Sequence, residues 1–98
     1  MATITTPDIR TTSGSGTRND RPWNVIVKND AHNTFEGVAT ILSRVLPGMS
    51  YEKGMRLADS IHKQGQAIVW SGHREIAELY WEQLTDAGLT MAPLENAS

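Results

Sequence analysis

The sequence predicts an α+β fold: a two-layer sandwich in which a small three-stranded antiparallel sheet carries three helices on one face, in the order β-α-α-β-α-β. Three observations predict it. Apolar residues recur at helical spacing in three segments, with glycine or Pro-Gly behind them. Short β-branched or alternating runs lie between and around those segments. A chain of 98 residues has room for one compact domain, so strands and helices must share one core.

From the N-terminus, Met1 to about Arg21 reads as a disordered arm, because Thr11-Thr12-Ser13-Gly14-Ser15-Gly16-Thr17 cannot bury enough apolar surface to offset its ordering entropy. The folded domain is expected over residues 22–98. Trp23 to Lys28 alternates and is β-branched, as a half-buried strand requires, and Asn29-Asp30 closes it with turn chemistry. Asn33 is the expected N-cap of the first helix, with Glu36 three residues on as in a capping box. The stripe of that helix is Phe35, Val38, Ala39, Leu42, Val45 and Leu46, and Pro47-Gly48 stops it. Ser50 caps a second helix with Tyr51, Met55, Ala58 and Ile61 on its apolar side, and Gly65 supplies a left-handed end. Gln66 to Trp70 is a short strand. A third helix runs from about His73 to Ala87 with Ile76, Ala77, Tyr80 and Leu84 inward, and Gly88 ends it. Leu89 to Leu94 is expected as a last strand, with Pro93 at a sheet edge.

Composition narrows the function. A domain this small buries only roughly 60–65% of the surface its unfolded chain exposes, so a ligand belongs in a surface pocket rather than an interior cavity. Net charge is -2 with the signs mixed, which argues against nucleic acid and against a polybasic membrane anchor. Cysteine is absent, excluding disulfides and thiolate metal sites. No apolar run suits a signal peptide or a membrane span, so a cytoplasmic location is expected. His32, His62 and His73 include no i, i+4 pair, and neither a nucleophile elbow, a P-loop nor a dinucleotide fingerprint is present. No metal, cofactor or catalytic residue is expected, and the chain reads as a non-enzyme. A small metal-dependent hydrolase using Asp30 and His62 stays as an alternative, although no nucleophile is recognisable beside them.

Several segments together resemble one family. Val25-Ile26-Val27-Lys28-Asn29-Asp30, then Phe35-Glu36-x-Val38, then Ile61-His62-x-Gln64-Gly65-x-Ala67, then Ala77-Glu78 and Pro93-Leu94-Glu95 follow the order and spacing of the Clp protease adaptor family, ClpS, over about Trp23 to Ala97. The resemblance implies an adaptor that binds N-degrons, proteins whose exposed first residue is bulky and hydrophobic, and delivers them to an ATP-dependent Clp protease. It implies that Asn29, Asp30 and His62 surround the α-ammonium of that residue. An ammonium offers three donors and one charge, so it calls for acceptors and a nearby anion. Protonating His62 would remove an acceptor and add a like charge, so weaker binding is expected below neutral pH. The first side chain would enter a pocket lined by Val27, Phe35, Val38, Ala58 and Ile61, with Ala31 and Asn33 at the peptide-backbone rim.

The sequence departs from the family pattern at several of these positions. Ala31 stands where a second Asp is common, Asn33 where Thr is frequent, and Phe35 and Ala58 where the family has Met. A rigid ring at the mouth and a shorter wall point to Leu as the favoured first residue. The resemblance also implies docking on the N-terminal domain of a ClpA or ClpC unfoldase working with ClpP. Glu75 matches a docking position there, and Tyr80 stands where Lys is common. The adaptor is expected to be monomeric. The C-terminal domain of the ribosomal stalk protein shares the element order, so a stalk-like interaction domain is the other alternative.

Overall fold

Val25, Ile26 and Val27 form an apolar run with no polar break, as a strand covered on both sides requires. They are buried in β1 (Trp23–Lys28), which is the middle strand of the sheet. The computed structural model describes residues 21–97, in which β1 is followed by α1 (Phe35–Val45), α2 (Tyr51–Gln64), β2 (Gln66–Gly72), α3 (Arg74–Asp86) and β3 (Glu95–Asn96). This is the α+β arrangement expected, with an antiparallel sheet of order β2-β1-β3. The arm expected over residues 1–21 lies outside the described residues except for Arg21, whose carbonyl accepts from the Asn96 side-chain amide at 3.3 Å.

Pairing partners share a sheet face. Val25 lies opposite Trp70 and Val27 opposite Ala67, and these four join the core cluster with Val38, Leu42, Ala58, Ile61, Ala77 and Leu84 of the helices. Ile26 and Ile68 pair on the reverse face, where Ile68 is 51% exposed. Between the Val25 and Ile26 pairs β2 carries one extra residue, Val69, in a bulge, and Val69 is itself buried in the core cluster. Trp70 meets the Tyr80 ring edge-on at 5.0 Å, and the missing side chain of Gly72 leaves room for the indole.

The last strand differs from the expected Leu89–Leu94. That segment does run along β1: Lys28 N–H donates to the Thr90 carbonyl, Ala92 N–H to the Ile26 carbonyl, and Val27 bridges to Met91. Pro93 has no N–H to give, so pairing lapses there and resumes as β3 against Trp23 and Asn24. The proline divides an edge strand instead of ending it.

The helix ends correct the sequence reading in one place and agree with it elsewhere. The N-cap of α1 is Thr34, whose hydroxyl accepts from Gly37 N–H at 2.9 Å, and not Asn33. Asn33 is drawn away because its amide donates to Asp30 and to the Gly88 carbonyl, so the Glu36 capping box does not form around it. Ser50 caps α2 by accepting from Lys53 N–H, and Gly65 ends it at φ +90°. The buried line of α2 is Gly54, Ala58 and Ile61; Tyr51, at the first helical position, is 46% exposed. On α3 the inward line is Ala77, Tyr80 and Leu84, spaced i, i+3, i+7. Ile76 is one position off that line and is 40% exposed instead of inward.

Candidate functional site

A cavity of about 250 Å³ opens between α1 and α2 at the C-terminal end of β1. Its lining combines apolar and polar residues. Val27, Val38, Ala58 and Ile61 are buried members of the lining, and half-buried Phe35 stands at the first position of α1. Asn29, Asp30, His62 and Asn33 complete the polar part. All three proposed ammonium ligands and all five proposed side-chain contacts therefore meet in one hollow. Ala31 does not line it; it is exposed in the loop between β1 and α1.

Backbone bonds bring the polar residues together. Asn29 directly follows β1, and its N–H donates to the Gly65 carbonyl at 2.9 Å, at the end of the helix that carries His62. His62 lies in the last turn of α2, exposed, with its ring at 5.3 Å from the Phe35 ring in an edge-on contact. Among the described residues neither the Asn29 side-chain amide nor the His62 imidazole is committed to a hydrogen bond; the rim's side-chain bonds centre on Asp30 and Asn33.

Asp30 is the opposite case. Its Oδ1 accepts from the backbone N–H groups of His32 and Asn33, both at 2.8 Å, and its Oδ2 accepts from Asn33 Nδ2 at 2.8 Å and Thr90 Oγ1 at 2.6 Å. The Thr90 hydroxyl first and then the Asn33 backbone N–H, with lesser help from the Asn33 side chain and the His32 N–H, hold its carboxyl well below the usual carboxylate range against the opposing effect of burial. The rim thus carries one fixed anion beside two uncommitted polar groups, the complement of a small cation with several N–H donors.

Two cavity residues escaped the sequence reading. Lys28 lies at the rim beside Asn29, and Leu89 is a buried part of the lining. Leu89 had a usable signal: Gly88 is left-handed at φ +106°, Gly88 N–H donates to Thr85, and Leu89 N–H donates back to Leu84. This turn regularly folds the apolar residue after glycine against the helix. Thr90 had none, since its partner Asp30 is 60 residues away.

On α3, Glu75 is exposed in the first turn, while Tyr80 is half-buried against Trp70 and offers only part of its ring to a partner. No described helix is long and apolar enough to cross a membrane. Asp30 and His62 share the cavity, but among the described residues no third His, Cys, Asp or Glu joins them in a group that could hold a metal.

The chain is similar to known proteins in sequence and in fold. The model of the family described as ATP-dependent Clp protease adaptor protein ClpS matches residues 18–95. A ClpS from Thermosynechococcus vestitus is 53% identical over 73 residues, 74% of this chain and 78% of the relative. One from Synechocystis sp. is 46% identical over 97 residues, 98% of this chain and 96% of the relative. The solved structure of Agrobacterium tumefaciens ClpS2 bound to L-phenylalaninamide superposes with a TM-score of 0.69 at 28% identity, covering 80% of this chain and 99% of that one.

Proposed function

Because this chain belongs to the ClpS family, whose members are adaptors of the ATP-dependent Clp protease and not enzymes, we propose that its cavity receives the first residue of N-degron proteins and that Leu is the residue it favours. One observation carries the reading: Asn29, Asp30 and His62 line the same hollow as Val27, Phe35, Val38, Ala58 and Ile61. The ligand's α-ammonium donates to the Asn29 side-chain oxygen Oδ1 and to an unprotonated His62 nitrogen under the charge of Asp30. An internal peptide amide has no such cation to offer, so only a true N-terminus is held. L-phenylalaninamide, the ligand of Agrobacterium tumefaciens ClpS2, presents a free α-ammonium beside an apolar side chain, the two features this cavity complements.

The first side chain descends between Val38 and Ala58. Burying a Leu-sized group contributes roughly 1.5–3 kcal/mol, and charged hydrogen bonds contribute roughly 1.5–3 kcal/mol. These contributions, less association costs, fall far short of the roughly 12 kcal/mol of nanomolar binding, so the binding expected is micromolar or weaker, which lets an adaptor release its cargo. The half-buried Phe35 ring, braced against His62, narrows the mouth against Trp and against β-branched residues.

Delivery uses the N-terminal domain of a ClpA or ClpC unfoldase, which docks at Glu75 and the exposed part of Tyr80. The axis of α3 spans roughly 18 Å from Arg74 to Asp86 at 1.5 Å per residue. Cargo at the Leu89 end and unfoldase at the Glu75 end can therefore be held together. The protein works as a cytoplasmic monomer.

The test is titration of matched peptides with a free or an acetylated Leu N-terminus against the wild type, Asp30→Ala and His62→Ala. Micromolar binding of the free peptide, lost on acetylation and weakened at least tenfold in each variant, is the expected result. Equal binding of both peptides by the wild type rules the reading out.

A further inference from the structure

We propose that Thr90 and Asn33 are positioning residues of the α-ammonium site, fixing the Asp30 carboxylate so that it meets the ligand as a stationary charge and not as a hydrogen-bond acceptor. The inference rests on the reading of the cavity given above and adds to it how the anion is used.

An ionised carboxylate has about four lone-pair sites, and at Asp30 four donors occupy them, two on each oxygen. No site is left for the ammonium, so direct acceptance falls to Asn29 and His62. Three of the donors belong to the loop that follows Asp30. The fourth comes from a distant segment held in place because Lys28 N–H donates to the Thr90 carbonyl at 2.8 Å. Asn33 is clamped in turn, its amide bridging Asp30 and the Gly88 carbonyl at 3.0 Å.

The arrangement answers a competition within the cavity. Lys28 and His62 are the other titratable groups in the lining. An aspartate free to rotate could pair with Lys28 and spend its charge there. Hydrogen bonds at 2.6–2.8 Å to groups on two different segments prevent that rotation. The Thr90 hydroxyl is the largest single influence holding Asp30 ionised, in keeping with its short contact.

The experiment compares full-length wild type, Thr90→Val and Thr90→Ser by affinity for a free-amine Leu peptide, and follows the Asp30 carboxyl carbon by NMR through a pH titration without ligand. Thr90→Val keeps the shape and removes the hydroxyl. It should weaken binding about three- to tenfold, less than the tenfold or more that a charge-assisted hydrogen bond made to the ligand itself would carry, because Thr90 acts only through Asp30, and should raise the Asp30 titration midpoint. Thr90→Ser should restore both. Asn33→Ala supplies a second measurement with the same direction in each readout. Wild-type affinity in Thr90→Val together with a raised midpoint overturns the proposal, because the anchor would then be irrelevant to the ligand. So does Thr90→Ser binding as weakly as Thr90→Val. A wild type that does not distinguish free from acetylated peptide removes the ammonium site itself, a different failure from an unaffected variant in a protein that does distinguish them.

Discussion

Gly54→Ala sets two effects of opposite sign against each other. Gly54 is buried where α2 crosses α1, and a Cβ there would stand 2.9 Å from Ala39 Cα, 3.0 Å from its carbonyl oxygen and 3.2 Å from its Cβ. Carbon atoms rest at about 3.5–4.0 Å, so the helices must part by roughly 0.5–1 Å. Intrinsic helix propensity favours alanine by about 0.8–1.0 kcal/mol, whereas overpacking costs typically about 1–3 kcal/mol. The obstruction is mostly backbone and has no rotamer to relieve it, so the upper half of that range applies. The net expectation is a loss of about 1–2 kcal/mol, each kcal/mol lowering Tm by about 4–8 °C in a domain of this size. Urea unfolding followed by circular dichroism measures it, with the m-value unchanged. Because the cavity lies between the same two helices, the variant should also admit larger first residues. A Gly54→Ala protein as stable as wild type, or more so, would refute the close-crossing argument.

Two further outcomes are expected. The Asp30 carboxyl titrates below its unfolded value of about 3.9, so its ionised network stabilises the fold at neutral pH and that contribution fades as pH falls below about 4. The stability gap between wild type and Asp30→Asn should be constant above about pH 5 and shrink below about pH 4, and a gap unchanged to pH 2.5 in denaturant titrations would contradict the assignment. Phe35→Ala opens the cavity mouth and should raise Trp-peptide affinity relative to Leu by about tenfold, the equivalent of about 1.4 kcal/mol of newly buried aromatic surface; fluorescence anisotropy giving the wild-type ratio would show that the ring is not the gate.

Much of the fold was legible because the signals are local. Ser50, Gly65 and Gly88 act on backbone groups within one turn of themselves, and the spacing of Val38 and Leu42, or of Ala58 and Ile61, declares the inward face of a helix without reference to its partner. The readings that missed were settled by neighbours distant in sequence. Asn33 is a good cap in isolation, yet Asp30 and Gly88 claim its amide, and Thr34 caps α1 in its place. Ile76 has the right hydrophobicity, but α3 lies on its Ala77–Leu84 line.

By itself the chain determined which segments coil or extend, where each helix stops, and which residue types were present to meet an ammonium and an apolar side chain. Only the tertiary structure decided that they meet. The Asn29–Gly65 bond, the Thr90–Asp30 bond 60 residues apart and the Leu89 turn place the β1 end, the α2 end and the segment after α3 around one hollow. Periodicity and capping report interactions a few residues long. A binding cavity is enclosed by contacts between segments far apart along the chain, and those follow from packing the whole domain.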